Sequence, residues 1–152
     1  RTDRQTSGVE RTQARDCAMR KEIERSIRQA ERDLENARKN VEIEAYELAS
    51  FMCQQAVEKF LKAAWMLVED EAPPRTHSLV ELGDPLGVPD DRRRHLVYLN
   101  ADYTTARYPD AANGVPFEIY DRETAVSKVE AAEELFEWLR ALVEEAEGTT
   151  RG

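Results

Sequence analysis

Apolar residues recur along most of this chain at steps of three and four, the spacing of an amphipathic helix. Ile23, Ile27, Ala30, Leu34, Ala37 and Val41 fall on one stripe. Glu24, Arg28, Glu31, Arg32, Glu35 and Arg38 occupy the opposite face, many within i,i+4 reach of one another. A second run, from about Ile43 to Asp70, is apolar nearly all round. Leu48, Phe51, Met52, Ala56, Phe60, Ala63 and Leu67 cover one side, and Val57, Leu61, Ala64, Trp65 and Val68 much of the rest. Such a helix is the buried centre of a bundle, or is shared between a bundle and a partner subunit. A final helix starts after Asp121, a good N-cap, and runs to about Ala146 with Val126, Val129, Ala132, Phe136, Leu139 and Val143 on its apolar face. No segment alternates apolar and polar residues over a useful length. The predicted fold is all-α, an antiparallel up-and-down bundle of four to five helices with one long irregular connection.

The breaks between helices are unevenly marked. No glycine or proline lies between Val9 and Ala72, so Lys39-Asn40-Val41-Glu42 is the expected junction of the first two helices by polarity alone. Pro73 and Pro74 end the second helix. Ser78 is placed to cap a short helix through Leu79 and Leu82, and Asp90 to cap the next, whose face carries Leu96, Leu99 and Tyr103. Pro109, Gly114 and Pro116 mark a loop. Residues 1–16 are polar without a sustained apolar period, which predicts disorder or loose helix. The expected organisation is a flexible segment 1–18, a helical bundle 19–147 and a disordered tail 148–152.

At 152 residues with 41% hydrophobic and 35% charged content, the chain suits one domain with a real core. No apolar run approaches the roughly 20 residues of a membrane span, and no apolar signal region is visible, so a cytoplasmic location is expected. Cys17 and Cys53 sit in dissimilar surroundings and do not suggest a disulfide; Cys53 reads as a small buried hydrophobe. Two cysteines and two histidines without close ligand spacing argue against a metal site, and no cofactor is expected. The net charge of −9 disfavours non-specific binding of nucleic acid through the whole surface. Charge is unevenly spread, however. Residues 1–40 hold 11 of the 22 lysines and arginines, and residues 121–147 hold nine acids against three bases. Two solvated helix faces explain this, as would attraction of a basic partner or of RNA.

Three constellations carry candidate chemistry. Gln55, Glu58, Lys59 and Lys62 share one helical stripe, where Glu58 and Lys62 can pair. They form either the polar floor of a cleft with a lysine for phosphate, or an internal ion pair that fixes bundle register or a dimer seam. Thr76-His77-Ser78 reads as a helix stop and cap, with the imidazole bonded to nearby backbone; a catalytic His77 would need a partner that the local sequence does not supply. His95, after three arginines, reads as solvated surface. In Arg107-Tyr108-Pro109-Asp110 the proline forces Tyr108 out of helical geometry. The arginine fork suits phosphate or carboxylate, and Tyr103 or Tyr108 offers a stacking face. The same element can instead tie the long loop to the bundle.

Ala30-Glu31-Arg32-Asp33-Leu34, Gln54-Gln55-Ala56-Val57-Glu58-Lys59, Thr76-His77-Ser78-Leu79 and Tyr103 with Arg107-Tyr108-Pro109-Asp110 follow one another in an order that resembles the HEPN family of small helical, nucleotide-associated domains. The resemblance covers about residues 21–146 and implies a dimeric helical bundle. It also implies association with nucleotides of the ATP or GTP class, and pairing with a minimal nucleotidyltransferase in a toxin–antitoxin-like couple. The ribonuclease branch of that family carries an arginine followed, after four to six residues, by a histidine. Here Asp70-Glu71-Ala72 precede His77 and Val88-Pro89-Asp90 precede His95, and no histidine follows Arg107. The expectation is therefore a homodimeric, non-catalytic domain with no catalytic residues of its own. Arg107 would meet phosphate, Tyr103 or Tyr108 would stack, and Lys59, Lys62 and His77 would support. The alternatives are a divergent metal-independent ribonuclease uniting His77 with Arg75 or Arg107 through folding or dimerisation, and a purely structural dimeric module.

Overall fold

A computed structural model describes residues 2–151, with side chains for 8–111 and 113–149. Among the described residues every regular element is helical: α1 (Thr2–Glu42), α2 (Tyr46–Glu69), α3 (Leu79–Gly83), α4 (Asp90–Asn100), α5 (Asp102–Thr105), α6 (Pro109–Ala112), α7 (Pro116–Ile119) and α8 (Arg122–Arg151). A single 3-10 turn, Asp84–Leu86, joins α3 to α4. The long helices α1, α2 and α8 with α4 form the bundle, and α5, α6 and α7 are single turns along the irregular connection.

The α1–α2 junction falls at Ile43–Ala45, just after the expected Lys39–Glu42 stretch, which still belongs to α1, and its device is unusual. Glu44 adopts left-handed backbone (φ 63°). Its N–H donates to Val41 O (3.1 Å) and the Ala45 N–H to Asn40 O (2.8 Å). That pair of bonds is a Schellman ending, for which glycine is the usual left-handed residue. A glutamate there explains why no glycine announced the break. Asp70 closes α2 in the same left-handed region (φ 53°), its N–H bonded to Met66 O, before Pro73 and Pro74 lead the chain away.

α2 is the centre of the bundle. It packs along α1 on one side and α8 on the other, with α3 over it. Phe60 meets Phe136 of α8 edge to face, centroids 5.0 Å apart at 84°, a geometry favoured by ring quadrupoles. Val57, Leu61, Leu79, Leu82, Leu96, Leu99, Leu135 and Leu139 fill the surrounding core. Neighbours within one chain thus cover the apolar surround of α2. Its large apolar residues left exposed are Leu48 and Val68.

Both ends of the described residues are helical. α1 already runs from Thr2, and residues 8–18 are exposed on every side, beyond the bundle. Among the described residues only intrahelical bonds support that stretch, a marginal situation for a helix in water. α8 continues past Ala146 to Arg151, with residues 147–149 exposed. The near-neutral first helix and the acidic last helix lie side by side, and Arg38 pairs with Glu133 (3.5 Å) across them. No helix among the described residues is long and apolar enough to cross a membrane.

Candidate functional site

The site begins with two polar residues buried in α2. Gln54 is fully buried and Glu58 nearly so. A bare amide or carboxylate there would be costly, so each must be satisfied. Gln54 Nε2 donates to Glu58 Oε1 (3.1 Å) and to the carbonyl of His77 (3.2 Å), while Gln54 Oε1 accepts from Gln55 Nε2 (2.6 Å). Glu58 Oε2 accepts from Lys62 (3.2 Å), and His77 Nδ1 lies 3.1 Å from Glu58 Oε1. A carboxylate only accepts, so Nδ1 carries the proton and the imidazole turns its Nε2 edge away from Glu58. The extended run after Pro74 is therefore sewn to α2 through both the backbone and the ring of His77. Backbone alone was expected to hold that ring; the buried carboxylate holds it instead. Ser78 then caps α3 by accepting from the Glu81 N–H (3.3 Å).

From the other direction, α4 brings the chain back to the same place. Asn100 Oδ1 accepts from the Leu79 N–H (2.8 Å), fixing the end of α4 against the start of α3. The next turn, α5, sets the ring of Tyr103 on that of His77, centroids 4.0 Å apart and planes 14° from parallel. Phe51 of α2 flanks Tyr103 at 6.4 Å. Arg107 reaches over this group: its guanidinium carbon stands 5.1 Å from the Phe51 ring, 5.2 Å from Tyr103 and 5.1 Å from Tyr108, and it donates to Tyr108 Oη (3.1 Å). Tyr108 is extended (φ −118°, ψ 119°) ahead of Pro109, as the proline requires. More than half of the His77 side chain remains exposed, and Arg107 and Tyr108 are open to solvent.

The fold thus gathers Tyr103, Arg107, Tyr108 and His77, with Lys62 joined through Glu58. Lys59 is not among them. It pairs with the buried Asp33 of α1, which also accepts from Gln29 (2.9 Å), so its charge is held by the α1–α2 seam. Arg75 is exposed and makes none of the cluster's described contacts. His95 is not solvated surface: its side chain is 15% exposed and pairs with Glu134 of α8. Asp90 is the first residue of α4, whose cap is Pro89. Phe51 was legible only as one more apolar residue of α2.

A buried polar group at the base of the connection was missed altogether. Asp102, Tyr120 and Lys128 are all buried. Tyr120 donates to Asp102 Oδ1 (2.5 Å), Lys128 Nζ stands 2.9 Å from Asp102 Oδ2, and the same ammonium donates to Tyr98 O (2.6 Å) and sits 3.5 Å from the Tyr98 ring centroid. Burial pushes the Asp102 carboxyl upward, against the lowering pull of Tyr120 and Lys128. Burial also pushes the Tyr120 phenol up, reinforced by its bond to Asp102, so it stays a donor. Burial likewise raises the Cys53 thiol far above its ordinary range, which leaves it a small inert hydrophobe. Among the described residues no group of His, Cys, Asp or Glu is arranged to hold a metal ion.

A separate groove of about 490 Å³ lies between α1 and α8 over Leu34 and Phe136. Glu130, Glu133, Glu134 and Glu137 line it with Arg38 and Arg140. Four carboxylates against two guanidinium groups make it unsuited to a phosphate, and it shares no residue with the ring cluster.

The HEPN domain family model matches residues 23–142. Solved structures agree. An archaeal HEPN homologue, ST0689, is 34% identical, with 80% of this chain and 97% of that one covered at a TM-score of 0.70. TT1696 from Thermus thermophilus is 28% identical over 82% and 97%, at 0.71. A HEPN domain protein from Thermotoga maritima is 26% identical over 79% and 98%, at 0.62. Among curated proteins none matches this chain.

Proposed function

Since this chain belongs to the HEPN domain family, we propose that it binds a nucleotide of the ATP or GTP class and has no catalytic activity by itself. The observation that carries this reading is the His77–Tyr103 ring stack with Arg107 beside it. A π-face accepts any base, and base–aromatic stacking contributes about 1–3 kcal/mol. Beyond its bond to Tyr108, Arg107 has donors left for a phosphate in the fork geometry that suits one. Lys62 adds a cation at the rim, tempered by its pair with Glu58. The reading extends to a homodimer that works beside a minimal nucleotidyltransferase in a toxin–antitoxin-like couple. Exposed Phe117 (64%) and Ile119 (48%), on the same connection as the cluster, supply apolar surface for such contacts. Calorimetric titration of ATP and GTP into wild type and Arg107→Ala tests the nucleotide claim. Heat with wild type and its loss in the variant are expected; no heat for either nucleotide leaves protein–protein interaction as the better account.

One specific observation favours a second reading, a metal-independent ribonuclease. Arg107 and His77 lack the family's sequence spacing, yet both rest on Tyr103, and Glu58 orients the imidazole as a triad acid would. In that role His77 Nε2 would take the proton of a ribose 2′-hydroxyl as its oxygen attacks phosphorus. The 5′-oxygen would leave with a proton from water, and Arg107 would face the charge gathered on the phosphoryl oxygens. RNA cleavage by purified protein in chelator, abolished by His77→Ala, would replace the first reading with this one.

A further inference from the structure

We infer that Asp102, Tyr120 and Lys128 are positioning residues, a buried clasp that holds Tyr103 and Arg107 in register with His77; the ligand this serves rests on the nucleotide reading above. The connection between α4 and α8 contains only single helical turns and carries Tyr103, Arg107 and Tyr108. Asp102 stands at its start and Tyr120 at its end, and these two bond directly. Lys128, a turn and a half into α8, anchors the pair to the bundle and reaches Tyr98 on α4 as well. Both ends of the loop are therefore tied to each other and to α4 and α8 by one buried group.

Chemistry, not only position, marks the group. Asp102 is 2% exposed, Lys128 6% and Tyr120 7%. Asp102 Oδ2 is a buried oxygen without a hydrogen bond, compensated by the ammonium across from it. Replacing a buried ion pair with apolar residues of similar volume is often neutral or stabilising. What an ion pair adds over such a core is one defined arrangement, since any slip leaves a buried charge unpaired. Asp102 directly precedes Tyr103 on a single turn. Its inward anchor therefore fixes the direction in which the next side chain leaves, toward His77. A ring stack depends on sub-ångström placement, and supporting residues are what supply it.

The test reads the free protein first. Tyr120→Phe keeps the ring and removes the hydroxyl that donates to Asp102; Lys128→Met removes the ammonium, and Lys128→Arg restores a cation. In aromatic NMR spectra of the uniformly labelled protein, the His77 ring protons of wild type show ring-current displacement and contacts to Tyr103. Tyr120→Phe and Lys128→Met are expected to stay helical by circular dichroism yet lose most of that displacement, and Lys128→Arg to regain it. Leu139→Ala, a core change remote from the clasp, is expected to lower the melting temperature without moving the His77 signals. Wild-type His77 signals in folded Tyr120→Phe and Lys128→Met overturn the inference. So does an equal displacement in Leu139→Ala, which would reduce the clasp to general stability. Should Tyr120→Phe fail to fold, the Lys128 pair decides alone. ATP affinity, measured afterwards, is expected to fall about tenfold in Tyr120→Phe. Absence of ATP binding in wild type would sink the nucleotide reading while leaving the NMR result on the clasp intact.

Discussion

His77 and Tyr103 lie ring on ring, 4.0 Å between centroids and 14° from parallel, although one belongs to the stop after α2 and the other to the turn after α4. The stack joins the two ends of the α3–α4 segment over the polar floor of α2. It brings together residues that, taken one at a time, each had a structural explanation.

If that stack is the recognition surface, removing its face should matter more than removing its hydroxyl. Tyr103→Ala is expected to weaken ATP or GTP binding by about 1–3 kcal/mol, whereas Tyr103→Phe stays close to wild type. Calorimetry on the two variants side by side checks this. Equal losses would mean that the phenol oxygen, not the ring, makes the contact.

Glu58 anchors three partners from a buried position, Gln54, Lys62 and His77. Glu58→Ala takes one acceptor from the fully buried Gln54 amide and the ion-pair partner from Lys62, and should destabilise the fold by about 1–3 kcal/mol. Urea denaturation measures it. A variant as stable as wild type would show that water reaches these groups.

The pH dependence of the α8 cap has a definite sign. Asp121 Oδ1 accepts from the Thr124 N–H (2.7 Å), and these bonds hold its carboxyl below the ordinary value of 3.8. A carboxyl lowered in the folded state adds stability above the unfolded value and loses it as pH falls through the folded one. Asp121→Ala should therefore melt earlier than wild type at neutral pH. The gap should close below about pH 4, which thermal melts across a pH series would reveal.

At the α1–α2 junction, Glu44 occupies a backbone region that costs a residue with a Cβ roughly 1–2 kcal/mol. Glu44→Gly removes that cost and gives back part of it as chain entropy. A net gain of about 1 kcal/mol is expected, read as a higher urea midpoint with an unchanged slope. A lower midpoint would mean that the Glu44 side chain holds the turn in some other way.

What was legible in the sequence was what repeats locally. The stripes of α1 and α8 recorded which faces meet α2, and the Ser78 and Asp121 caps and the Pro109 turn need only neighbours a few residues away. The Glu58–Lys62 pair was legible for the same reason. Less so was anything that depends on which helix lies opposite. Lys59 was expected to support a ligand together with Lys62, but its partner Asp33 is on α1. Lys128 fits the solvated face of a helix until α4 and α5 close over it. The apolar surround of α2 read equally as the buried centre of a bundle or as surface shared with a partner subunit, and α1, α3 and α8 of the same chain cover most of it. The His77–Tyr103–Arg107 meeting is a product of the turn between α3 and α4, and no spacing rule along the chain contains it.

The most direct measurement is an NMR titration that follows the rings of His77 and Tyr103 and the Arg107 Nε–H signal while ATP, then GTP, is added. The account predicts saturable shifts at all three that share one binding curve, with the groove between α1 and α8 silent. A curve seen only at Glu130, Glu133 and their neighbours, or no curve at all, would contradict it.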